Sequence, residues 1–126
     1  MSEAGLESRA LPIVPCAGPP EERGVQHGEA LREQIAMGLG AWSATIGERH
    51  GMDPDTYIRQ FVQGTKYLDS IRQWTPDLEP EIAGIAKGAN QPWEWIYAYN
   101  LLDEEWTWTR QFAAPGRGCT AIGLMP

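Results

Sequence analysis

The sequence is poor in cysteine, poor in basic charge and without a long hydrophobic run. Its two cysteines, Cys16 and Cys119, are too few for a disulfide framework and lack the C-x-x-C spacing of a metal site. Only 10 lysines and arginines oppose 17 aspartates and glutamates, which gives a net charge of −7. This balance argues against nucleic acid or an anionic membrane as a partner, because phosphate binding needs a basic face.

The chain also lacks targeting and membrane signals. Its first residues do not have the basic start and apolar run of a signal peptide, and no run approaches the roughly 18 apolar residues of a membrane helix. We therefore expect a cytoplasmic protein with free thiols. The chain length of 126 residues, of which 42% are hydrophobic, is enough to form one modest domain with a core.

Six tryptophans are many for this length, and four of them form two closely spaced pairs. The pairs are Trp93 with Trp95 and Trp106 with Trp108. Residues at i and i+2 of a helix point to different faces, so at most one of each pair is expected in the core. The others are expected to line a pocket or an interface.

Apolar periodicity predicts a short strand, four helices and the start of another strand. The short strand is expected in "LPIVPCAG", around Ile13 and Val14, with Pro12 and Pro15 demoting it toward a sheet edge. Residues 1–10 are expected to be a loose terminus. The helices are predicted over residues 18–51, 53–74, 75–90 and 91–108, and the last strand in "CTAIGL" from Cys119.

End signals accompany these helices. Asp53 is a predicted N-cap with Pro54 behind it, Thr75 is predicted to cap the third helix, and Gly51 is a predicted C-terminal stop after His50. Glycine inside a helix costs roughly 1 kcal/mol relative to alanine. Several in the first helix are therefore expected to permit close packing or a kink; they are Gly24, Gly28, Gly38 and Gly40.

Cys119 is the leading candidate for chemistry because it follows Gly118 at a predicted strand entry. A thiol reacts as its thiolate and needs a base, and His27 and His50 are both distant in sequence. If the Gly118–Cys119 bond is cut, the freed α-amino group, with an ordinary pKa of roughly 7.7–8.0, can be that base. The residues alone leave open that Cys119 is simply a buried small side chain.

An acidic cluster is a second candidate. Asp103, Glu104 and Glu105 follow one another, with Asn100 about one turn earlier. These carboxylates are suited to acid–base chemistry, or they are a solvated, ion-paired helix end. The two histidines of the chain do not have the spacing of a metal site, so no metal is expected.

Four sequence blocks follow one another along the chain. The first contains "RGVQHG" at Arg23 to Gly28, and the second contains "EIAGIAKGA" at Glu81 to Ala89. The third is "YNLLDEE", residues 99–105, and the fourth is "GCTAIGL", residues 118–124. In this order they resemble the acyl-coenzyme A:isopenicillin N acyltransferase family of autoproteolytic N-terminal-nucleophile hydrolases.

The resemblance implies an α+β fold, a four-layer α-β-β-α sandwich of which this chain carries the mostly helical N-terminal portion, without most of the strands. Residues 11–118 would be the small helical chain, and residues 119–126 the truncated start of the catalytic chain. The Gly118–Cys119 bond would be cut autocatalytically, which makes Cys119 the N-terminal nucleophile. Thr120, Asn100, Asp103 and Glu104 are candidate supporting residues.

The implied activity is a cysteine acyltransferase or amidohydrolase for small N-acyl or acyl-thioester substrates. Its partners would be its own large chain, a small acyl donor, and an amine or water; acyl-coenzyme A would be a substrate, and no cofactor is implied. Ala121 stands where the penicillin-pathway member has a threonine, which argues against penicillin synthesis. The 126 residues alone are expected to be inactive. The alternative is a non-catalytic helical interaction module that keeps the family scaffold.

Overall fold

The computed structural model describes residues 11–111, and every regular element in that range is an α-helix. The predicted loose terminus at residues 1–10 and the predicted strand from Cys119 lie outside the described residues. The helices within the range are α1 (Pro20–Ala30), α2 (Arg32–His50), α3 (Pro54–Gly64), α4 (Tyr67–Trp74), α5 (Leu78–Ala89), α6 (Trp93–Tyr99) and α7 (Leu102–Arg110).

The predicted α+β fold is wrong for the described part of the chain. Residues 11–17 have no regular secondary structure, and Ile13 is 95% exposed. Pro12 and Pro15 have no N–H group to donate to a strand ladder, and residues 11–111 contain no second strand for this segment to pair with. Helix-on-helix packing therefore replaces the predicted mixed architecture over these residues, and no sheet layer of the sandwich occurs among them.

Three of the four predicted helices are each divided into two. The breaks come at Leu31, at Thr65 and around Asn100. The Thr65 hydroxyl donates a hydrogen bond of 2.7 Å to the carbonyl four residues earlier, and the Asn100 side-chain amide makes a similar bond of 2.8 Å. Such local side-chain bonds compete with the continuing helix, so the chain can turn at these points.

Two of the predicted helix ends are confirmed and one is wrong. Asp53 caps α3, since its Oδ2 accepts bonds from the backbone N–H and the hydroxyl of Thr56, both at 3.0 Å. Gly51 ends α2 in the left-handed conformation, with φ of 57°. Thr75 does not cap the third predicted helix, because it closes α4 instead, and α5 begins after Asp77.

The core consists of two adjoining groups of buried apolar side chains. One joins α2, α5 and α6, and the other joins α2, α3 and α6; the ring of Trp42 packs against both. Phe61 in the second group is completely buried. The first group is Leu39, Ile82, Ala86, Ile96 and Tyr97, and the second is Ile46, Tyr57, Ile58, Phe61 and Ala98.

Helices α1 and α5 form the most extensive helix pair, and they approach so closely that backbone touches backbone. A Cβ atom at Gly24 would overlap the carbonyl oxygen of Glu81. A Cβ atom at Gly84 would overlap the carbonyl oxygen of Glu21. Only glycine fits at such positions, because the obstacle is main chain and cannot rotate away. We call this contact the α1–α5 glycine interface.

The same relation recurs one turn further along. Gly28 faces the backbone of α5, and Gly88 faces the backbone of α1. The Nε and Nη2 atoms of Arg32 then donate to the Gly88 carbonyl, at 3.0 and 2.9 Å, near the end of α5. Close packing at glycines of the first predicted helix is thereby confirmed for Gly24 and Gly28, whereas a Cβ at Gly40 would meet no atom within 4 Å.

The buried side chain of Tyr97 makes the stability of the core depend on pH. It is 1% exposed, and its hydroxyl has no hydrogen-bond partner within residues 11–111. Burial raises the pKa of Tyr97 to about 12, whereas an unfolded tyrosine titrates near about 10. Its contribution to stability is therefore complete below about pH 10 and is lost as the pH rises toward about 12.

We expect Tyr97→Phe to keep or raise the free energy of unfolding at neutral pH, because it removes a buried, unpaired hydroxyl. The variant should also lose less stability than the wild type above about pH 10. Urea denaturation over a pH series measures both effects. A destabilisation of about 1 kcal/mol or more at neutral pH would mean that the hydroxyl has a partner after all.

Candidate functional site

The three sequence blocks that fall within residues 11–111 meet at one cavity of about 300 Å³. The first block contributes His27, the second contributes Ile85, and the third contributes Tyr99 and Asn100. We call this space the block cavity. The rest of its wall is mainly aliphatic and consists of Leu31, Gln34, Ile35, Gly38, Leu39 and Ile96.

The block cavity combines an apolar wall with a few polar groups, as small-molecule sites commonly do. His27 is half-buried in the last turn of α1. The Asn100 amide is oriented by its hydrogen bond of 2.8 Å to the Ile96 carbonyl. The ring of Tyr99 meets Trp42 edge-on, with 5.4 Å between the ring centroids. Such a space can hold a short hydrocarbon group whose polar end faces His27 and Asn100.

The two histidines are not brought together. His27 lines the block cavity, whereas His50 is the last residue of α2 and lines two other cavities. Within residues 11–111, no three side chains of the metal-binding types are grouped so that they could hold an ion. His50 instead stacks on the ring of Tyr57, with 4.5 Å between the centroids.

The acidic cluster is divided by the turn of α7. Asp103 is exposed and Glu104 is half-buried, whereas Glu105 is only 5% exposed. Consecutive residues of a helix point about 100° apart, so three neighbouring carboxylates cannot share one site. The predicted supporting residues Asp103 and Glu104 therefore lie outside the protein interior, and Glu105 is the acid that enters it.

Glu105 is held in a network between α3 and α7. Its Oε1 accepts hydrogen bonds from the Tyr57 hydroxyl and from the Thr109 hydroxyl, the latter at 3.3 Å. The Tyr57 oxygen is also within hydrogen-bonding reach of the Thr109 hydroxyl, whose single proton goes either to Tyr57 or to Glu105. Burial, and then the bond to Glu105, raise the pKa of Tyr57 well above its ordinary value, so its phenol remains a donor at neutral pH.

Sequence reasoning missed this network as a unit. Glu105 was expected only as one of three neighbouring acids, and Tyr57 was not among the candidate site residues. The spacing of Glu105 and Thr109, four residues apart on one helix, was the available signal. The third member, Tyr57, is 48 residues away from Glu105, and the sequence contains no sign of that contact.

Gly118, Cys119 and Thr120, the predicted processing site and its neighbour, lie outside the described residues. The other cysteine, Cys16, is an exposed free thiol. None of the helices described between residues 11 and 111 combines the length and the apolar character needed to cross a membrane.

Comparisons with protein-family models, with curated proteins and with solved structures find no match to this chain. Membership of the acyltransferase family therefore stays a prediction from the four sequence blocks.

Proposed function

We propose that this protein is an autoproteolytic cysteine acyltransferase or amidohydrolase that cuts its own Gly118–Cys119 bond. Residues 11–118 are its small chain, and Cys119 opens its catalytic chain. The observation that supports this most is the α1–α5 glycine interface. Gly24 and Gly28 belong to the first sequence block, and their backbone contacts lie in the second block.

This contact supports the proposal because one packing requirement explains the glycines of both blocks. The glycines of each block are four residues apart, which places them on one face of their helix. Each face leaves room only for the backbone of the other helix. The third block lines the cavity beside this interface. The blocks thus describe one packed unit, as expected if they mark a common scaffold.

Processing begins with attack of the Cys119 sulfur on the Gly118 carbonyl carbon. The peptide C–N bond breaks as the C–S bond forms, so the product is a thioester with a free Cys119 amine. Water then hydrolyses the thioester, which leaves a Gly118 carboxylate and the Cys119 thiol. Glycine before the scissile bond leaves the carbonyl uncrowded.

In turnover, the freed α-amino group takes the proton of the Cys119 thiol, since its ordinary pKa lies near neutrality. The thiolate attacks the carbonyl carbon of a small amide or thioester, such as an acyl-coenzyme A; the C–N or C–S bond of that donor breaks, and its amine or thiol leaves with the proton from the α-amino group. An amine or water then receives that acyl group. This chemistry needs a reduced thiol, which agrees with the cytoplasm expected from the sequence.

A non-catalytic interaction module is the second candidate, and it is favoured by apolar side chains that face solvent. Met37 and Trp74 are each 75% exposed, and Trp106 is 50% exposed. Where such side chains adjoin one another, they commonly mark contacts with another protein. Such a module has no reason to cut its own chain.

The two candidate functions differ in whether the Gly118–Cys119 bond is cut in the encoded protein. We expect native purification to give two chains, one of which has Cys119 as its first residue by N-terminal sequencing and intact mass. A single chain with an uncut Gly118–Cys119 bond, even after prolonged incubation in reducing buffer, would contradict the enzyme and favour the module.

A further inference from the structure

The block cavity is large enough for a hydrocarbon chain of medium length. Its volume is about 300 Å³. An apolar cavity of roughly 150 Å³ in another protein is enough to bind benzene, so a space about twice that size accommodates a flexible chain of about eight to ten carbons. A chain of about four carbons would leave a large part of it unfilled.

The wall of the block cavity favours an uncharged occupant. Aliphatic side chains from α2, α5, α6 and the break after α1 form most of it; they are Leu31, Ile35, Leu39, Ile85 and Ile96. No aspartate, glutamate, lysine or arginine is among the described residues of this wall. A charged group would therefore lose water there without gaining an ion-pair partner, whereas a hydrocarbon chain gains apolar contact.

Gly38 keeps the cavity open on the side of α2. A Cβ atom at this position would lie 3.4 Å from the hydroxyl oxygen of Tyr99, and both residues line the cavity. A longer side chain at position 38 would therefore occupy part of the space. Glycine is unfavourable inside a helix, so the room that it leaves has a cost that a bound chain could repay.

The Asn100 side chain supplies a polar contact for an otherwise apolar occupant. Its amide nitrogen donates one hydrogen bond, of 2.8 Å, to the Ile96 carbonyl. A side-chain amide carries two N–H groups, so the second is available to an acceptor in the cavity. The carbonyl oxygen of an acyl group is such an acceptor, and it carries no charge.

We propose that the block cavity binds the unbranched acyl chain of the substrate and favours chains of about eight to ten carbons over short ones. The chain lies against the aliphatic wall, and its carbonyl oxygen accepts a hydrogen bond from Asn100. This inference rests on the proposed acyl transfer, in which the substrate presents such a chain. Each methylene group that leaves water strengthens binding by up to about fourfold, so chain length decides affinity.

The probes for this site are N-methyloctanamide and N-methylbutanamide, which have the same head group and differ only in chain length. They are titrated into the encoded protein with Cys119→Ala, which has no thiol at that position to become acylated. We expect saturable NMR shifts at the backbone amide of Gly38 and at the side-chain amide of Asn100. The longer amide is expected to bind about thirtyfold or more tightly than the shorter one.

Two substitutions of Gly38 locate the binding. Gly38→Leu fills part of the cavity and is expected to weaken binding of N-methyloctanamide by about tenfold or more. Gly40→Leu is the matched control, because it adds the same side chain to the same helix at a position that does not line the cavity. Gly38→Ala, a smaller change, is expected to weaken binding about threefold and serves if Gly38→Leu does not fold.

The proposal is overturned if the two amides bind equally, if neither binds, or if Gly40→Leu weakens binding as much as Gly38→Leu does. These readouts do not require the Gly118–Cys119 bond to be cut. An uncut wild-type chain with binding that depends on chain length would contradict the proposed function and support the cavity as an acyl-chain site. A cut chain without such binding would support the proposed function and overturn the assignment of the cavity.

Discussion

Replacing Gly84 with alanine is expected to lower the free energy of unfolding by about 3 kcal/mol or more, which is a large part of the stability of a small domain. The new methyl group would overlap the Glu21 carbonyl oxygen and would lie 2.9 Å from the backbone nitrogen of Val25. Both obstacles are main chain of α1, so the only relief is to move the two helices apart. That movement would also open the contacts made by Gly24 and Gly28.

The matched control for this change is the same substitution at Gly40. It also lies inside a helix, and a Cβ atom there would meet nothing within 4 Å. Gly40→Ala is therefore expected to raise the free energy of unfolding by about 1 kcal/mol, because alanine favours the helix. Urea denaturation of both variants measures the difference. Equal effects at Gly84 and Gly40 would mean that α1 and α5 are not in backbone contact.

The glycines of the first predicted helix show which part of the fold could be predicted from the sequence. Four glycines within the first predicted helix were recognisable as unusual, and their cost in helix propensity required some compensation. The sequence could not show which of them face another helix. Gly24 and Gly40 both lie within the first predicted helix. They differ because α5 packs against Gly24, whereas a Cβ atom at Gly40 would meet no atom within 4 Å.

The helix boundaries were harder to predict than the helices themselves. The hydrophobic repeat continues across Thr65 and across Asn100, because the residues on both sides of each break face the same core. At each break a side chain bonds back to the carbonyl of the preceding turn, but Thr45 and Thr107 make the same bond inside unbroken helices. Threonine and asparagine are common in unbroken helices as well, so their presence alone predicts no break.

The prediction of a short strand around Ile13 is wrong for a different reason. A strand is stabilised by pairing with a neighbour, whereas its apolar pattern is only a local property. The residues from 11 to 111 supply no neighbouring strand, and the segment stays irregular and exposed. The family resemblance carried the same α+β expectation, and the described helices do not support it.

The acids of the third block show what could not be predicted about the candidate site from the sequence. The sequence presented Asp103, Glu104 and Glu105 as equivalent candidates. Their difference is created by α3, which places the Tyr57 hydroxyl beside Glu105 and leaves the other two at the surface. A helical projection would have placed Glu105 with Leu101 and Thr109, which is a hint of burial, but it cannot supply the donor from a distant helix.

The Cys119→Ala variant of the encoded protein is expected to remain a single uncut chain. Alanine has no nucleophilic atom, so neither the thioester nor the free amine can form. Cys119→Ser retains a nucleophile that is weaker near neutral pH than a thiolate, and it is expected to be cut slowly. Cleavage is followed by denaturing gel electrophoresis and intact mass after expression and incubation in reducing buffer.

Cys16→Ala is the matched control, because it removes the other thiol, which is free and exposed at the opposite end of the sequence. It should be cut like the wild type. If Cys119→Ala were still cut at the same bond, an external protease would be responsible, and the Cys119 nucleophile would lose its support. Since Cys119→Ala changes neither Gly118 nor the helices, loss of cleavage with retained helical circular dichroism would assign the reaction to the sulfur atom itself.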